Sequence, residues 1–131
     1  MIGIVIVSHS HKVAEGVKEL ADQMAQNRVK IAAAGGVDEG TIGTNAERIY
    51  AALQEVADED GTLVLLDLGS AVMSAQMAIE MLPDEAREKV VLSEAPLVEG
   101  AIIAAVEASI GNDLEKVNAA AEAASTMRKL L

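Results

Sequence analysis

The chain has 131 residues, 51% of them hydrophobic, and it contains no cysteine. Ten basic residues against 21 acidic residues give a net charge of −11 at pH 7. This balance excludes nucleic acid and anionic membrane as main partners, because both are bound largely through Lys and Arg. Without cysteine there is no disulfide and no thiolate metal site. The length is that of one domain, which we predict over residues 1–131. Because no apolar stretch is long enough to span a bilayer and cysteine is absent, we expect this domain to be cytoplasmic.

Four short apolar runs predict the strands of this domain. Residues 1–7 include four consecutive Ile or Val residues, which is typical of a strand buried on both faces of a parallel sheet. Further strands are predicted at residues 28–34, 62–68 and 90–93. Helices are predicted at residues 11–24, 46–56 and 71–82, at a short turn from residue 83, in an alanine-rich segment ending near residue 110, and at residues 114–131. Asn45 is expected to cap the second helix, after a glycine-rich loop at residues 35–44.

The alternation of strand and helix predicts an α/β fold. We expect one doubly wound, mainly parallel four-stranded sheet in the order 2-1-3-4, with helices on both faces. In that order the first strand lies between the second and the third. The loop after the first strand then lies between the glycine-rich loop and the turn at residues 67–70.

His9 is the first candidate for chemistry, because it follows the first strand and the chain has only two histidines. A histidine that accepts a phosphoryl group needs a neutral ring with one nitrogen free as the nucleophile. Its other nitrogen needs a carboxylate or carbonyl that fixes the tautomer. Asp67 ends the neighbouring predicted strand and is expected to fill that role.

Three polar clusters converge on this point: residues 8–10, the glycine-rich loop with Thr41 and Thr44, and residues 67–71. Backbone N–H groups and hydroxyls in these clusters can bind phosphoryl oxygens without basic side chains. The candidate phosphoryl contacts are Ser10, Gly35, Gly36, Thr41, Gly69 and Ser70.

Simpler interpretations remain open for several of these residues. His9 could cap a helix or face solvent, and Asp67 could be a helix cap. His11 is expected to be exposed on the first helical turn. Met73, Met77 and Met81 are expected to lie in the core or in a dimer interface. No nucleotide-binding glycine motif is present, and no third ligand joins the two histidines, so we predict no cofactor and no metal.

The sequence also carries a family resemblance. Residues 4–10, Ile-Val-Ile-Val-Ser-His-Ser, resemble the active-site strand of mannose-type enzyme IIA domains of the bacterial sugar phosphotransferase system. Residues 32–36 with 42–44, residues 67–71 and residues 95–100 resemble the branch of phosphocarrier subunits that serves phosphoenolpyruvate-dependent dihydroxyacetone kinases. The resemblance covers almost the whole chain and implies the same doubly wound fold.

The resemblance implies a phosphotransferase that works as a homodimeric phosphohistidine carrier. His9 would receive its phosphoryl group from the histidine-containing phosphocarrier protein and pass it to ADP bound on the nucleotide-binding subunit of dihydroxyacetone kinase. Asp67 matches the carboxylate that pairs with the histidine. Because the sequence ends at Leu131, we expect the single-domain form, which depends on separate donor proteins. The alternatives are a mannose-type transport component that passes phosphate to a IIB domain, and a non-enzymatic flavodoxin-like binding or sensor module.

Overall fold

The computed structural model describes residues 1–130, which contain a four-stranded parallel sheet in the order β2-β1-β3-β4. The strands are β1 (Gly3–Ser8), β2 (Ile31–Gly35), β3 (Thr62–Leu66) and β4 (Val90–Leu92). The fold class, the strand order and the parallel pairing predicted from the sequence are confirmed.

Helices cover both faces of this sheet, as predicted. They are α1 (His11–Met24), α2 (Ala46–Glu55), α3 (Ser70–Glu80), α4 (Asp84–Arg87), α5 (Leu97–Ser109) and α6 (Leu114–Ala123), with a 3₁₀ turn at Ala124–Thr126. The side chains of β1 contribute alternately to two hydrophobic clusters, one on each face of the sheet, because successive residues of a strand point to opposite faces. Ile4 and Ile6 pack with α1, α5 and α6, whereas Val5 and Val7 pack with α2 and α3. Along residues 1–130, no helix is both long and apolar enough to cross a membrane.

The ends of two elements differ from the prediction. Strand β3 ends at Leu66 and not at residue 68, because Leu68 has left the core and is 80% exposed. Helix α6 ends at Ala123 and does not continue to the end of the chain. Residues 125–130 are exposed, so no packing stabilises further helical turns there. Leu131 lies outside the described residues.

The methionine row does not belong to the core. Met73, Met77 and Met81 lie at four-residue spacing on α3 and are 66%, 59% and 47% exposed. The core alternative for this row is therefore wrong. An apolar row of this kind is available to a protein partner.

The strand order brings three loops together at the carboxyl edge of the sheet. Two backbone hydrogen bonds extend the strand pairing by one residue on either side of β1. The N–H of Gly36 donates to the Ser8 carbonyl at 3.1 Å, and the N–H of Asp67 donates to the Val7 carbonyl at 3.2 Å. As a result, the residue after β1 is held between the residues that follow β2 and β3.

Asn45 caps α2 as predicted and offers a test of this loop arrangement. Its side-chain oxygen accepts from the N–H groups of Glu47 and Arg48, and its amide donates to the Val37 carbonyl. We expect Asn45→Ala to lower the free energy of unfolding by about 1–2 kcal/mol, because the cap is lost. Asn45→Asp keeps the cap acceptor and should cost less. Urea denaturation measures both, and equal losses in the two variants would contradict the capping role.

Candidate active site

The side chains of His9 and Asp67 form a hydrogen bond across the ends of β1 and β3. The His9 Nδ1 atom lies 2.8 Å from Asp67 Oδ1, and the two side chains are 33% and 26% exposed. The backbone N–H of His9 also donates to Asp67 Oδ2, at 2.9 Å. The structure therefore brings the predicted nucleophile and the predicted carboxylate together and orients both.

Asp67 accepts two further hydrogen bonds. The Ser8 hydroxyl donates to Oδ2 and the Leu68 N–H donates to Oδ1, each at 2.9 Å. Burial by itself would raise the pKa of Asp67. The hydrogen bonds from the His9 N–H, the Ser8 hydroxyl and the His9 ring outweigh burial and hold this pKa below its ordinary value. Asp67 is thus a carboxylate at neutral pH.

This carboxylate fixes the tautomer of a neutral His9 ring. An ionised carboxylate only accepts hydrogen bonds, so Nδ1 carries the proton and Nε2 keeps its lone pair. Nε2 lies 2.9 Å from the Ser70 hydroxyl, on the exposed side of the ring. The arrangement leaves one nucleophilic nitrogen accessible and stabilises positive charge on the ring when that nitrogen reacts.

Two further hydroxyls, those of Thr44 and Ser74, extend the hydrogen bonding from Ser70. Thr44 Oγ1 lies 3.4 Å from Ser70 Oγ and 2.7 Å from Ser74 Oγ. Thr44 belongs to one of the three predicted polar clusters, whereas Ser74 lies outside all of them. The available signal for Ser74 was its position four residues after Ser70, which puts both hydroxyls on the same side of α3.

The turn between Asp67 and α3 depends on glycine. Gly69 precedes the helix with φ of +58°, a conformation that residues with a Cβ rarely adopt. This turn starts α3 next to the His9 ring. The first N–H groups of a helix have no partner within the helix, so this end of α3 can donate to an anion.

Ser10 and Thr41 use their hydroxyls elsewhere in the structure. The Ser10 hydroxyl accepts from the Val13 N–H at 3.2 Å and caps α1, while the Ser10 N–H donates to the Ser8 hydroxyl. Thr41 lies in an exposed turn, where the Gly40 N–H and then the Thr41 hydroxyl lower the pKa of the Asp38 carboxyl. Direct phosphoryl contact by Ser10 or Thr41 stays a prediction.

Gly35 and Gly36 have packing roles at the end of β2. A Cβ atom at Gly35 would lie 2.4 Å from the Ser10 carbonyl oxygen. The start of α1 can therefore pack this closely against β2 only because residue 35 has no side chain. The Gly35 carbonyl accepts from Arg48 Nη2 at 3.2 Å. The Gly36 N–H is already bonded to Ser8. Their phosphoryl contacts also stay predictions.

His11 is separated from this site by its own contacts. It begins α1 and is partly buried rather than exposed as predicted, because Arg48 Nη2 reaches its Nδ1 at 3.4 Å. Within residues 1–130, no three His, Cys, Asp or Glu side chains are grouped as a metal site requires.

The sequence matches a family profile over most of its length. Residues 3–118 match the EIIA-man family, described as the fructose IIA component of the phosphotransferase system. The chain belongs to this family. Its doubly wound parallel sheet is therefore the fold of an enzyme IIA component.

Curated relatives refine the comparison. The chain is 48% identical to the phosphoryl donor subunit DhaM of the phosphoenolpyruvate-dependent dihydroxyacetone kinase of Escherichia coli over 89% of its own length, but spans only 25% of that relative. It is 39% identical to a DhaM of Listeria innocua, covering 89% of this chain and 94% of that relative. The phosphotransferase subunit DhaM of Lactococcus lactis is 37% identical, with 88% and 89% covered.

Solved structures share the fold. A crystal structure of a protein of unknown function is 35% identical, with a TM-score of 0.82 over 94% of this chain and 95% of that one. An enzyme IIA component from Streptococcus agalactiae is 20% identical, with a TM-score of 0.68 over 95% and 92% of the two chains. The second likeness concerns the fold alone.

The lowered pKa of Asp67 predicts a defined loss of stability in acid. The ionised form stabilises the fold fully above the ordinary aspartate pKa of about 3.9, and this contribution is lost as the pH falls through the lower value of the folded state. At neutral pH the wild-type protein should have a higher free energy of unfolding than Asp67→Asn. This difference should disappear as the pH falls from the ordinary aspartate pKa through the lower pKa of the folded state. Urea denaturation at a series of pH values measures the difference, and ¹³C NMR of the carboxyl locates its midpoint. A titration midpoint of the Asp67 carboxyl at or above about 3.9 would show that its hydrogen bonds do not outweigh burial.

Proposed function

We propose that the protein is a phosphohistidine carrier. His9 accepts a phosphoryl group from the histidine-containing phosphocarrier protein of the phosphotransferase system. It passes the group to ADP bound on the nucleotide-binding subunit of a dihydroxyacetone kinase. The observation that carries this proposal is the His9 ring itself, which is held through Nδ1 by Asp67 and has Nε2 on its exposed side. The DhaM names of the relatives support the choice of acceptor.

The transfer chemistry follows from this geometry. The Nε2 lone pair attacks the phosphorus atom, the P–N bond to the donor breaks and its electron pair stays with the donor. Because Nδ1 keeps its proton, the ring becomes an imidazolium beside the Asp67 carboxylate. The Ser70 hydroxyl and the N–H groups of Gly69 and Ser70 at the start of α3 can donate to the phosphoryl oxygens. These donors are uncharged, which suits a group that must leave again.

The proposal includes protein partners on both sides of the relay and a homodimer. Strand β4 is an edge strand of three residues that are only partly buried, which leaves one side of it open to pairing. Met73 and Met77 add an exposed apolar surface on α3, beside Ser70. The proposal also includes the cytoplasmic location expected from the sequence.

Phosphorylation of His9 is the first test. Incubation with phosphoenolpyruvate, enzyme I and the phosphocarrier protein should add one phosphoryl group, stable in alkali and labile in acid. His9→Ala should lose all labelling because the nucleophilic nitrogen is gone, and intact-mass measurement detects this directly. His11→Ala is the matched control, since His11 contacts Arg48 and not Asp67. Labelling that survives in His9→Ala, or that is lost only in His11→Ala, would refute the proposal.

A sugar-transport component is the second candidate, favoured by the family description of a IIA component. It would pass the phosphoryl group to a IIB domain. Purified phosphoprotein should lose its phosphoryl group rapidly to the ADP-loaded kinase subunit, with formation of ATP, and much more slowly to a IIB domain. Quenched-flow mass measurement compares the two rates. The reverse preference would replace the kinase role with transport, and failure of any donor to label His9 would favour a binding or sensor module.

A further inference from the structure

Three hydroxyls form a chain that ends at the nucleophilic nitrogen of His9. Ser70 Oγ lies 2.9 Å from Nε2, Thr44 Oγ1 lies 3.4 Å from Ser70 Oγ, and Ser74 Oγ lies 2.7 Å from Thr44 Oγ1. Ser70 and Ser74 belong to α3, whereas Thr44 comes from the loop before α2. The three hydrogen-bonded hydroxyls therefore link α3 to the loop before α2, next to the nucleophilic nitrogen.

The direction of each hydrogen bond follows because a hydroxyl has only one proton to donate. Nε2 has a lone pair, so the single proton of the Ser70 hydroxyl points to it. The bond between Ser70 and Thr44 must then use the proton of Thr44. The bond between Thr44 and Ser74 in turn uses the proton of Ser74. Each hydroxyl donates toward His9.

The backbone on both sides of Thr44 is fixed. The Gly43 N–H donates to the His9 carbonyl at 2.9 Å, which ties the loop to the residue that reacts. On the other side, Asn45 caps α2 and bonds Val37. The position of Thr44 is thus set relative to His9 by the backbone and relative to α3 by Ser74.

We infer that Thr44 is a positioning residue for phosphoryl transfer, which acts by orienting the Ser70 hydroxyl. This inference rests on the proposed function. During uptake, the Nε2 lone pair forms the new N–P bond while the donor's P–N bond breaks and its electron pair returns to the donor. The Nδ1 proton stays on His9. The Ser70 hydroxyl keeps its proton but turns it from Nε2 to a phosphoryl oxygen, and the proton of Thr44 holds Ser70 Oγ in place throughout.

The test compares Thr44→Val, Thr44→Ser and Ser74→Ala. Potassium phosphoramidate, a small chemical donor that releases ammonia, labels histidine without any partner protein, so the reaction does not depend on docking. Because one hydrogen bond is lost, we expect Thr44→Val to slow labelling of His9 by about twofold to tenfold, with a smaller effect in Ser74→Ala. Thr44→Ser should restore the wild-type rate. Thr126→Val is the matched control, since its hydroxyl bonds the Ala123 carbonyl at the end of α6.

A second readout separates positioning from a purely structural role. The ¹⁵N chemical shift of Nε2 in the unphosphorylated protein reports the hydrogen bond from Ser70. This shift should change in Thr44→Val but not in Thr126→Val. If Thr44→Val fails to fold, Ser74→Ala tests the same chain. Equal labelling rates and equal Nε2 resonances in the position-44 and position-126 variants would overturn the inference. Failure of the phosphocarrier protein to label wild-type His9 would instead overturn the relay, and the phosphoramidate result would still decide the role of Thr44.

Discussion

The Asp67 carboxylate is the group on which the geometry of the whole site depends. It accepts from the Ser8 hydroxyl, from the His9 N–H, from the His9 ring and from the Leu68 N–H. These bonds connect the end of β1 to the end of β3 through one side chain. Because the donors saturate both carboxylate oxygens, Asp67 stays ionised, and its charge in turn decides which nitrogen of His9 carries the proton.

This interaction exists only because of the strand order. In the order β2-β1-β3-β4, β1 has a neighbour on each side, so the residue after it meets residues from two other loops. That order could be predicted, because unbroken apolar runs alternating with amphipathic helices leave few parallel arrangements with right-handed crossovers. The pairing of His9 with Asp67 followed from it, since each residue directly follows a strand that ends at the same edge.

Other features depend on packing that the sequence pattern does not encode. The contact between Thr44 and Ser74 requires a specific path for the loop before α2, and that path is set by bonds such as Gly43 to His9. The end of α6 depends on the absence of a packing surface for residues 125–130, whereas their composition alone favours continued helix. Gly35 and Gly36 were predicted as phosphoryl contacts, but the close packing of α1 is a sufficient reason for the glycine at position 35.

The uncharged character of the hydrogen-bond partners of Nε2 has a consequence for a carrier. A Lys or Arg partner would stabilise a bound phosphoryl group strongly, because its positive charge adds an electrostatic attraction to each hydrogen bond. Here the partner of Nε2 is the Ser70 hydroxyl, supported by Thr44, and the nearby start of α3 can contribute N–H groups. The charge compensation is on the opposite side of the ring, at Asp67, which stabilises the imidazolium and not the phosphoryl group. In the proposed relay, such a site accepts the phosphoryl group without a cationic partner that would retain it.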